Sequence, residues 1–410
     1  MSQVFATTNW VSMKILWFLQ NSLEVASQFN DQWESEFGKT FAVGASVQVK
    51  QPQSWRVTYG LAYQPQAINR LTTTINLNLI NGIHFEWDSY ERLVYLERSE
   101  KELGENYLQP AGIQLAQQMD SDAAEWAKNY TSNVVGVLGT NSTTIDFAAA
   151  ADQRLYQKAA PAGKRHLVLD PSLMRSYVVP NVTQFNPASE IAQMFRSGVV
   201  GTSMNFEWYR SNSLVQHTAG TAATTGVTIT GAGQSGSTLT VTGANGETIK
   251  KGDKFSIASV NAVNPRTRQS GTMGGAQFTA TADLTLTGGS DSLSILPAIY
   301  GPTSQYQNVD ALPGNGAALT FWPGTANPSG KSGVISLALT TYAFAKAGGK
   351  LEVPKAVEKA ESTSDPKTGL SVRFVRAWDQ HESKMTNRFD QCYGFGNFYQ
   401  DNGAVAVAGA

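Results

Sequence analysis

The residue types able to do chemistry are few in this chain, and their spacing works against them. Histidines stand singly at 84, 166, 217 and 381, without H-x-x-x-H spacing and without a cysteine pair, so no zinc site is offered. Cys392 is the only cysteine, which excludes an intramolecular disulfide and any multi-cysteine metal site. A lone thiol is most simply a small buried side chain; the other reading is a nucleophile. GAGQSG at 231–236 has the glycines of a dinucleotide loop, but it lies in a Ser/Thr-rich stretch with no helix behind it and no acidic partner. GTANPSGKS at 324–332 misses the phosphate-loop spacing by one residue and carries Pro328 where an inward-pointing amide is needed. No G-x-S-x-G is present. Asp120 and Asp122 form a carboxylate pair, but on the polar side of an expected helix, where solvation is the simplest role. The chain is therefore expected to be no enzyme and to hold no cofactor and no metal.

Charge, by contrast, is patterned. Between Lys39 and His84 there is no acidic residue, while Lys50, Arg56 and Arg70 are present. From Glu86 to Glu105 the balance reverses, with Glu97, Glu100 and Glu102 among the acids. The whole chain of 410 residues is only 15% charged, against about 25% in typical soluble domains, and its net charge is −1. A weak overall field gives no drive to grip nucleic acid nonspecifically. A low charge fraction suits a surface covered by neighbours, and equally a secreted β-protein. No segment approaches the ~18 apolar residues of a membrane span. Ile15–Leu19 is the nearest to a signal core, but Gln20 and Asn21 end it, and no basic n-region or small-residue cleavage site is expected to accompany it.

The elements that must position these charges read as follows. Residues 9–30 predict an amphipathic helix with Val11, Ile15, Phe18, Leu19, Val25 and Phe29 on one face. Trp10 and Trp17 add an aromatic strip that needs a cover. FAVGASVQVK and TTTINLNL alternate as strands and predict a long hairpin arm with little apolar surface of its own. Leu115, Met119, Ala123, Trp126 and Tyr130 recur at helical steps. Pro110 either opens that helix or kinks a longer rod beginning near Ser99. The rod is either an extended strut or an ordinary core helix. Farther on, VVGVLG, the helical DFAAAADQRLYQKAA, the strand and short helix of KRHLVLDPSLMRSYV, the short helix EIAQMFRSGVVG and two strand-like pieces within MNFEWYRSNSLVQHT follow in turn. Near Thr218 the composition becomes Gly/Thr/Ser-rich, and short strands separated by turns, with a hairpin signal at Asn245-Gly246, predict a self-contained β-barrel or sandwich. Phe255, Ile257 and Phe278 are its expected core. A helix-bearing pattern resumes near Val334, so the β-module reads as an insertion. GLSVRFVRAWD predicts a closing strand, and the tail GAVAVAGA carries little information.

The run KKGDKFSIASVNAVNPRTRQSGTMGGAQFTATAD, followed by SLSILPAIY, resembles the inserted domain of tailed-phage coat proteins of the P-22 type. HLVLDPSLMRSYV with NSLVQHTAG, the helix segment ENYLQPAGIQLAQQMDSDAAEWA and LSVRFVRAWDQHESKMTNRFDQCYG are similar to the same family's flanking segments. The resemblance spans most of residues 35–400 and implies an α+β chain of the Hong Kong 97-type phage capsid fold. Its parts would be an N-terminal arm 1–35, an extended loop 39–75, a peripheral domain with a spine helix 76–131 and an axial domain 132–217 and 306–360. An inserted β-domain 218–305 and closing strands with a tail 361–410 would complete it. It implies a shell subunit whose partners are further copies of itself in hexamers and pentamers, a scaffolding protein, a portal, packaged double-stranded DNA held without sequence specificity and, optionally, a decoration protein. Lys50, Arg56, Arg70, Glu97, Glu100, Glu102, Trp10 and Trp17 are the expected inter-subunit contacts. Two rival readings are a secreted carbohydrate-binding or adhesive β-rich protein and a glycoside hydrolase, which needs two carboxylates ~5–10 Å apart in a cleft.

Overall fold

The computed structural model describes residues 8–31, 46–88 except 59, 62, 64 and 69, 104–181, and 202–409 except 223–225, 272, 323–329, 355, 356, 358, 366, 367, 382, 383 and 400. The chain divides into two units: Met1–Val49 with Thr72–Ala123 and Phe344–Gly396, and Lys50–Leu71 with Ala124–Ala343 and Asn397–Ala410.

In the first unit, helix α1 runs Thr8–Ser22 and is followed by a short 3₁₀ turn, Ala26–Gln28, instead of continuing to residue 30. The cause is a carboxylate from helix α2, Gln109–Tyr130. Asp120 accepts the backbone N–H groups of Glu24, Val25 and Ala26 at 2.7, 3.1 and 2.8 Å, so these amides are taken from the helical ladder and capped from outside. Helix α2 is preceded by one π-helical turn, Gly104–Leu108, so Pro110 stands in its first α-helical turn. Its buried ridge joins Leu115, Met119 and Ala123 of the expected stripe to Gly112, Ala116 and Ala127, while Trp126 and Tyr130 lie half-buried with their tilted rings 4.3 Å apart. A Cβ on Gly112 would come within 2.7 Å of the Phe18 Cβ, so α1 is received by the absence of a side chain.

The sheet of this unit is built around antiparallel pairs. The strands Phe344–Gly349, Lys384–Asn397, Ser371–Asp379 and Lys359–Ser364 are neighbours in that order, and Leu79–Asp88 pairs along the long strand from Lys384↔Asp88 to Tyr393↔Leu79. Phe374 stacks on Phe389 at 4.9 Å, and Cys392 is buried opposite Ile80. A separate two-stranded ribbon joins Ser46–Lys50 to Thr72–Asn76.

The second unit holds a mixed sheet and a barrel. The sheet orders Asn133–Gly136, Ala404–Ala408, Ser332–Thr340, Arg165–Leu169, Phe206–Arg210 and Thr202–Ser203, with Gln216–Thr218 paired to one end of Ser332–Thr340. Helices α3, Asp146–Gln157, and α4, Pro171–Asn181, cover it through an aromatic knot in which Phe147, Tyr177 and Trp208 lie 5.4–5.9 Å apart. The segment after Val334 is thus strand rather than helix. The tail, expected to be uninformative, supplies a strand buried on both faces. Ala404–Ala408 pairs antiparallel with Ile335–Leu339 and parallel with Asn133–Gly136. A continuous run of small apolar residues is what a strand covered on both faces requires. Lys158, 2% exposed, pairs with Asp401 at 2.8 Å just before it.

The barrel strands run in the order Leu319–Phe321, Lys254–Asn261, Gly275–Ala280, Asp291–Ile299, Gly236–Thr242 and Thr228–Ile229. A bridge from Thr228 to Ala318 closes the ring. Phe255 faces Phe278 on one neighbouring strand and Phe321 on the other, at 5.9 and 5.7 Å between rings. The barrel therefore runs through Phe321, and the boundary expected at 305 would cut off a strand together with the buried Val309. Asn245-Gly246 is a turn, with Gly246 at φ +87°, but not a hairpin. The strand before it pairs with Asp291–Ile299, and Thr248–Ile249 pairs with Leu284–Thr285.

Candidate interaction surfaces

Among the described residues, the carboxylate pair and the lone thiol singled out in the sequence take structural places; most of GTANPSGKS and the expected helix EIAQMFRSGVVG lie outside the described residues. Asp120 is 1% exposed, and burial, opposed by its three N–H donors, pushes its carboxyl up to about 6. Asp122 accepts the Tyr393 hydroxyl at 2.6 Å, the Asn81 amide at 3.2 Å and the Gln118 amide at 2.9 Å. The pair read as a solvated helix face thus ties α2 to the chain around it. Cys392 is buried and burial raises its thiol pKa, the wrong direction for a nucleophile. GAGQSG forms an exposed turn that feeds a strand, with no helix behind it. Among the described residues no group of three His, Cys, Asp or Glu could hold a metal ion, and no helix is long and apolar enough to cross a membrane.

A lysine that sequence reasoning passed over holds the C-terminal end of α2. Lys254, buried at the start of a barrel strand, donates to the carbonyls of Lys128 and Thr131 at 3.1 and 2.6 Å and to the Thr279 hydroxyl at 3.4 Å. Burial lowers its pKa to about 7, against the attraction of Asp253. A cation on the last carbonyls of a helix complements its dipole. The only hint in the sequence was a charged residue inside a strand pattern, after the turn at Lys251-Gly252-Asp253. Asp253 in turn organises that turn by accepting the Lys250 and Gly220 amides and facing His217 at 2.8 Å.

The expected contact residues divide by exposure. Lys50, Arg56 and Arg70 are all exposed. Arg56 lies in the loop 51–71, which carries almost no core of its own. Its edges are held by Gln51 N–H to Leu71 O at 2.8 Å and by Gln66, whose side chain accepts the Arg56 N–H at 2.9 Å and donates to the Arg56 carbonyl. Trp55, Val57, Leu61, Tyr63 and Ile68 on this loop are 58, 77, 108, 90 and 78% exposed. On α1, Trp17 is 55% exposed and packs edge-on to Phe18, and the Lys14 ammonium lies 6.0 and 5.6 Å from the rings of Trp10 and Trp17. The buried face of α1 docks on the strands Lys359–Ser364 and Ser371–Asp379, with Gln20 donating to Asp365 at 2.8 Å. Of the acidic stretch, Glu86 is paired within the chain with Lys384 at 3.0 Å, and Glu97, Glu100 and Glu102 lie outside the described residues. Phe255, Ile257 and Phe278 are 1, 2 and 1% exposed in the barrel interior.

No family model matches the sequence, and no curated protein does. Solved structures are similar to the chain over nearly its whole length. One from Mycobacterium phage Che8 is 13% identical, covering 94% of this chain and 92% of its own at a TM-score of 0.47. The capsid structure of the Cyanophage P-SCSP1u is 12% identical, covering 91% and 85% at 0.43. A virus-like particle from Pyrococcus furiosus is 7% identical, covering 97% and 98% at 0.40.

Proposed function

We propose that this chain is the major capsid protein of a tailed double-stranded-DNA bacteriophage and that its activity is self-assembly into an icosahedral head. The observation that carries the reading is the loop 51–71: five large apolar side chains stand more than half exposed on a segment without a carboxylate. Apolar exposure of that density marks a surface awaiting a partner. The subunit supplies no covering core there, so the loop gains its contacts by lying on another molecule. The structural roles found for Asp120, Asp122 and Cys392 weigh against the hydrolase reading.

In this proposal the chain has a Hong Kong 97-type fold of the P-22-like kind. The loop 51–71 is the extended loop, α2 the spine, the five-stranded sheet the peripheral domain, the mixed sheet the axial domain and the barrel an inserted domain. Lys50, Arg56 and Arg70 attract carboxylates of neighbouring copies, for which Glu97, Glu100 and Glu102 are candidates, and Trp10 and Trp17 give a second apolar contact. Hexamers and pentamers of the chain, a scaffolding protein, a portal and an optional decoration protein are the partners, and assembly takes place in the cytoplasm of the host bacterium. A net charge of −1 suits a shell that encloses DNA without holding it by sequence.

The purified chain, followed by size-exclusion chromatography and negative-stain microscopy, tests this. Shells or ring-shaped capsomers are expected; a protein that stays monomeric at all concentrations, with or without scaffold, overturns the reading.

A further inference from the structure

A charged recess of the second unit lies where the loop 51–71 meets the barrel. It is a groove of about 810 Å³, with Arg56, Val57 and Gln66 on the loop side and Arg266, Arg268 and Gln305 on the barrel side. Both walls are held. Gln305 donates to the Ser54 carbonyl at 2.7 Å and the Tyr306 hydroxyl lies 3.4 Å from the Gln53 amide oxygen, so the loop is fastened to the barrel. On the barrel side Asn264 caps its own turn, its side-chain oxygen accepting the amides of Arg266 and Thr267 at 2.9 and 3.2 Å. Arg268, at φ +57°, donates its guanidinium to the carbonyls of Ser304 and Gln305 at 3.0 and 2.7 Å.

Three guanidinium groups thus share one recess, and among the described residues no carboxylate pairs with any of them. Burial and then the nearby Arg56 charge lower the pKa of Arg268, so the cations stand close enough to repel. Such an arrangement lacks an anion, and guanidinium forks fit carboxylates bidentately. Val57, which lines the groove at 77% exposure, argues for a protein ligand with apolar residues rather than a bare polyanion.

Two acidic stretches of the chain compete for it. Glu86–Glu105 carries seven acids against three bases, a net −4 over 20 residues, with Glu86 already paired to Lys384. Asp31–Phe37, DQWESEF, carries Asp31, Glu34 and Glu36 with no base, a net −3 over seven residues, and sets Trp33 and Phe37 among them. The second has roughly twice the charge density, no internal cation to compete with the arginines, and aromatics to match the apolar rim. Resting on the assembly reading, we propose that the groove formed by Arg56, Arg266 and Arg268 is a docking site for the segment Asp31–Phe37 of a second copy of this chain. The barrel then takes part directly in subunit recognition, through Arg266 and Arg268.

The test uses the full chain held as unassembled subunits and a fluorescein-labelled peptide of residues 29–38, read by fluorescence anisotropy. Binding that weakens with added salt is expected, and Arg266→Glu is expected to weaken it about tenfold, or about 1.4 kcal/mol. Arg266 is exposed and its side chain has no partner among the described residues, so the variant should keep its fold by circular dichroism. Arg266→Gln should give a smaller loss. A peptide with Asp31, Glu34 and Glu36 replaced by their amides should not bind. Affinity unchanged by Arg266→Glu overturns the proposal, as does tighter Arg266-dependent binding of a peptide of residues 94–105 or of duplex DNA. Shells that form normally without any binding of peptide 29–38 sink this docking and leave the capsid reading standing. Arg266-dependent peptide binding by a chain that never assembles sinks the capsid reading and leaves the docking standing.

Discussion

The barrel and the loop 51–71 belong to the same unit, yet they treat apolar residues in opposite ways. In the barrel Val241, Phe255, Phe278 and Leu293 are 1% exposed or less, and each strand finds its partners within about a hundred residues of chain. In the loop Trp55, Val57, Leu61, Tyr63 and Ile68 face outward, and what shapes it is chiefly polar: the two-ended clasp of Gln66, backbone pairing at its base and the bonds from Gln305 and Tyr306 of the barrel. The barrel is stabilised by what it buries in itself. The loop has apolar surface left to bury in something else. That difference separates residues whose loss should unfold the chain from residues whose loss should weaken only its proposed association.

The largest effect is expected at the barrel's last strand. A fragment 219–322 should fold alone and show dispersed amide resonances, because its ring of strands is complete. A fragment 219–302 lacks Val309 and Leu319–Phe321, leaves Lys254–Asn261 with an open edge, and should show collapsed dispersion. Equal spectra for the two would break the contrast. Next in size, Phe255→Ala removes a ring wedged between Phe278 and Phe321 and should cost the fragment 219–322 about 3–5 kcal/mol in urea denaturation.

How much of this was legible follows from how local each interaction is. The barrel's strands and its core, Phe255 among them, read directly from alternation and turn residues. The boundary at 305 failed because Leu319–Phe321 is a three-residue strand after a long irregular stretch, with no pattern to announce it. The tail failed for a related reason: Ala404–Ala408 is apolar at every position because both of its faces are covered, so it lacks the apolar–polar alternation that marks a half-buried strand, and five residues are too short a run to stand out. Asp120 was misread because a helical wheel shows which side a residue takes but not what approaches that side. Its partners are amides 94–96 residues earlier, and backbone donors leave no trace in sequence. Cations on the loop were visible, but Arg266 and Arg268 joined them only when the chain was folded.

Asp120 offers the next, smaller effect, in a unit held by polar contacts as well as by packing. Its folded-state pKa of about 6 lies above the model-compound value of 3.8, so the folded form binds a proton that the unfolded form does not between those values. Stability from this group therefore rises as pH falls from 7 toward 4 and is flat outside that window. The shift corresponds to roughly 3 kcal/mol. Denaturation of wild type and Asp120→Asn in parallel isolates it: relative to the variant, wild type should gain stability on acidification. A difference that stays constant between pH 7 and 4, or that moves against wild type, would show that the three amide donors outweigh burial and hold the carboxylate ionised.

The smallest effect on the subunit is expected where the exposure is greatest. Leu61 and Tyr63 are 108 and 90% exposed, so their side chains lose almost no contact with water on folding, and burial cannot stabilise the isolated chain through them. Leu61→Ser with Tyr63→Ser should leave the unfolding midpoint of the unassembled subunit within about 0.5 kcal/mol of wild type. The same pair should act strongly on association, because a side chain exposed in the subunit and buried between subunits contributes only there. Each is worth up to about 1.5–3 kcal/mol if fully covered. In the proposed shell, repetition of the contact around a ring of copies would multiply that loss, since each copy would be held by several neighbours at once. The critical concentration for shells or capsomers, read by light scattering, should therefore rise while the melting curve stays in place. A fall in subunit stability with unchanged assembly would mean that the loop folds onto its own chain in solution and would remove the contrast between loop and barrel.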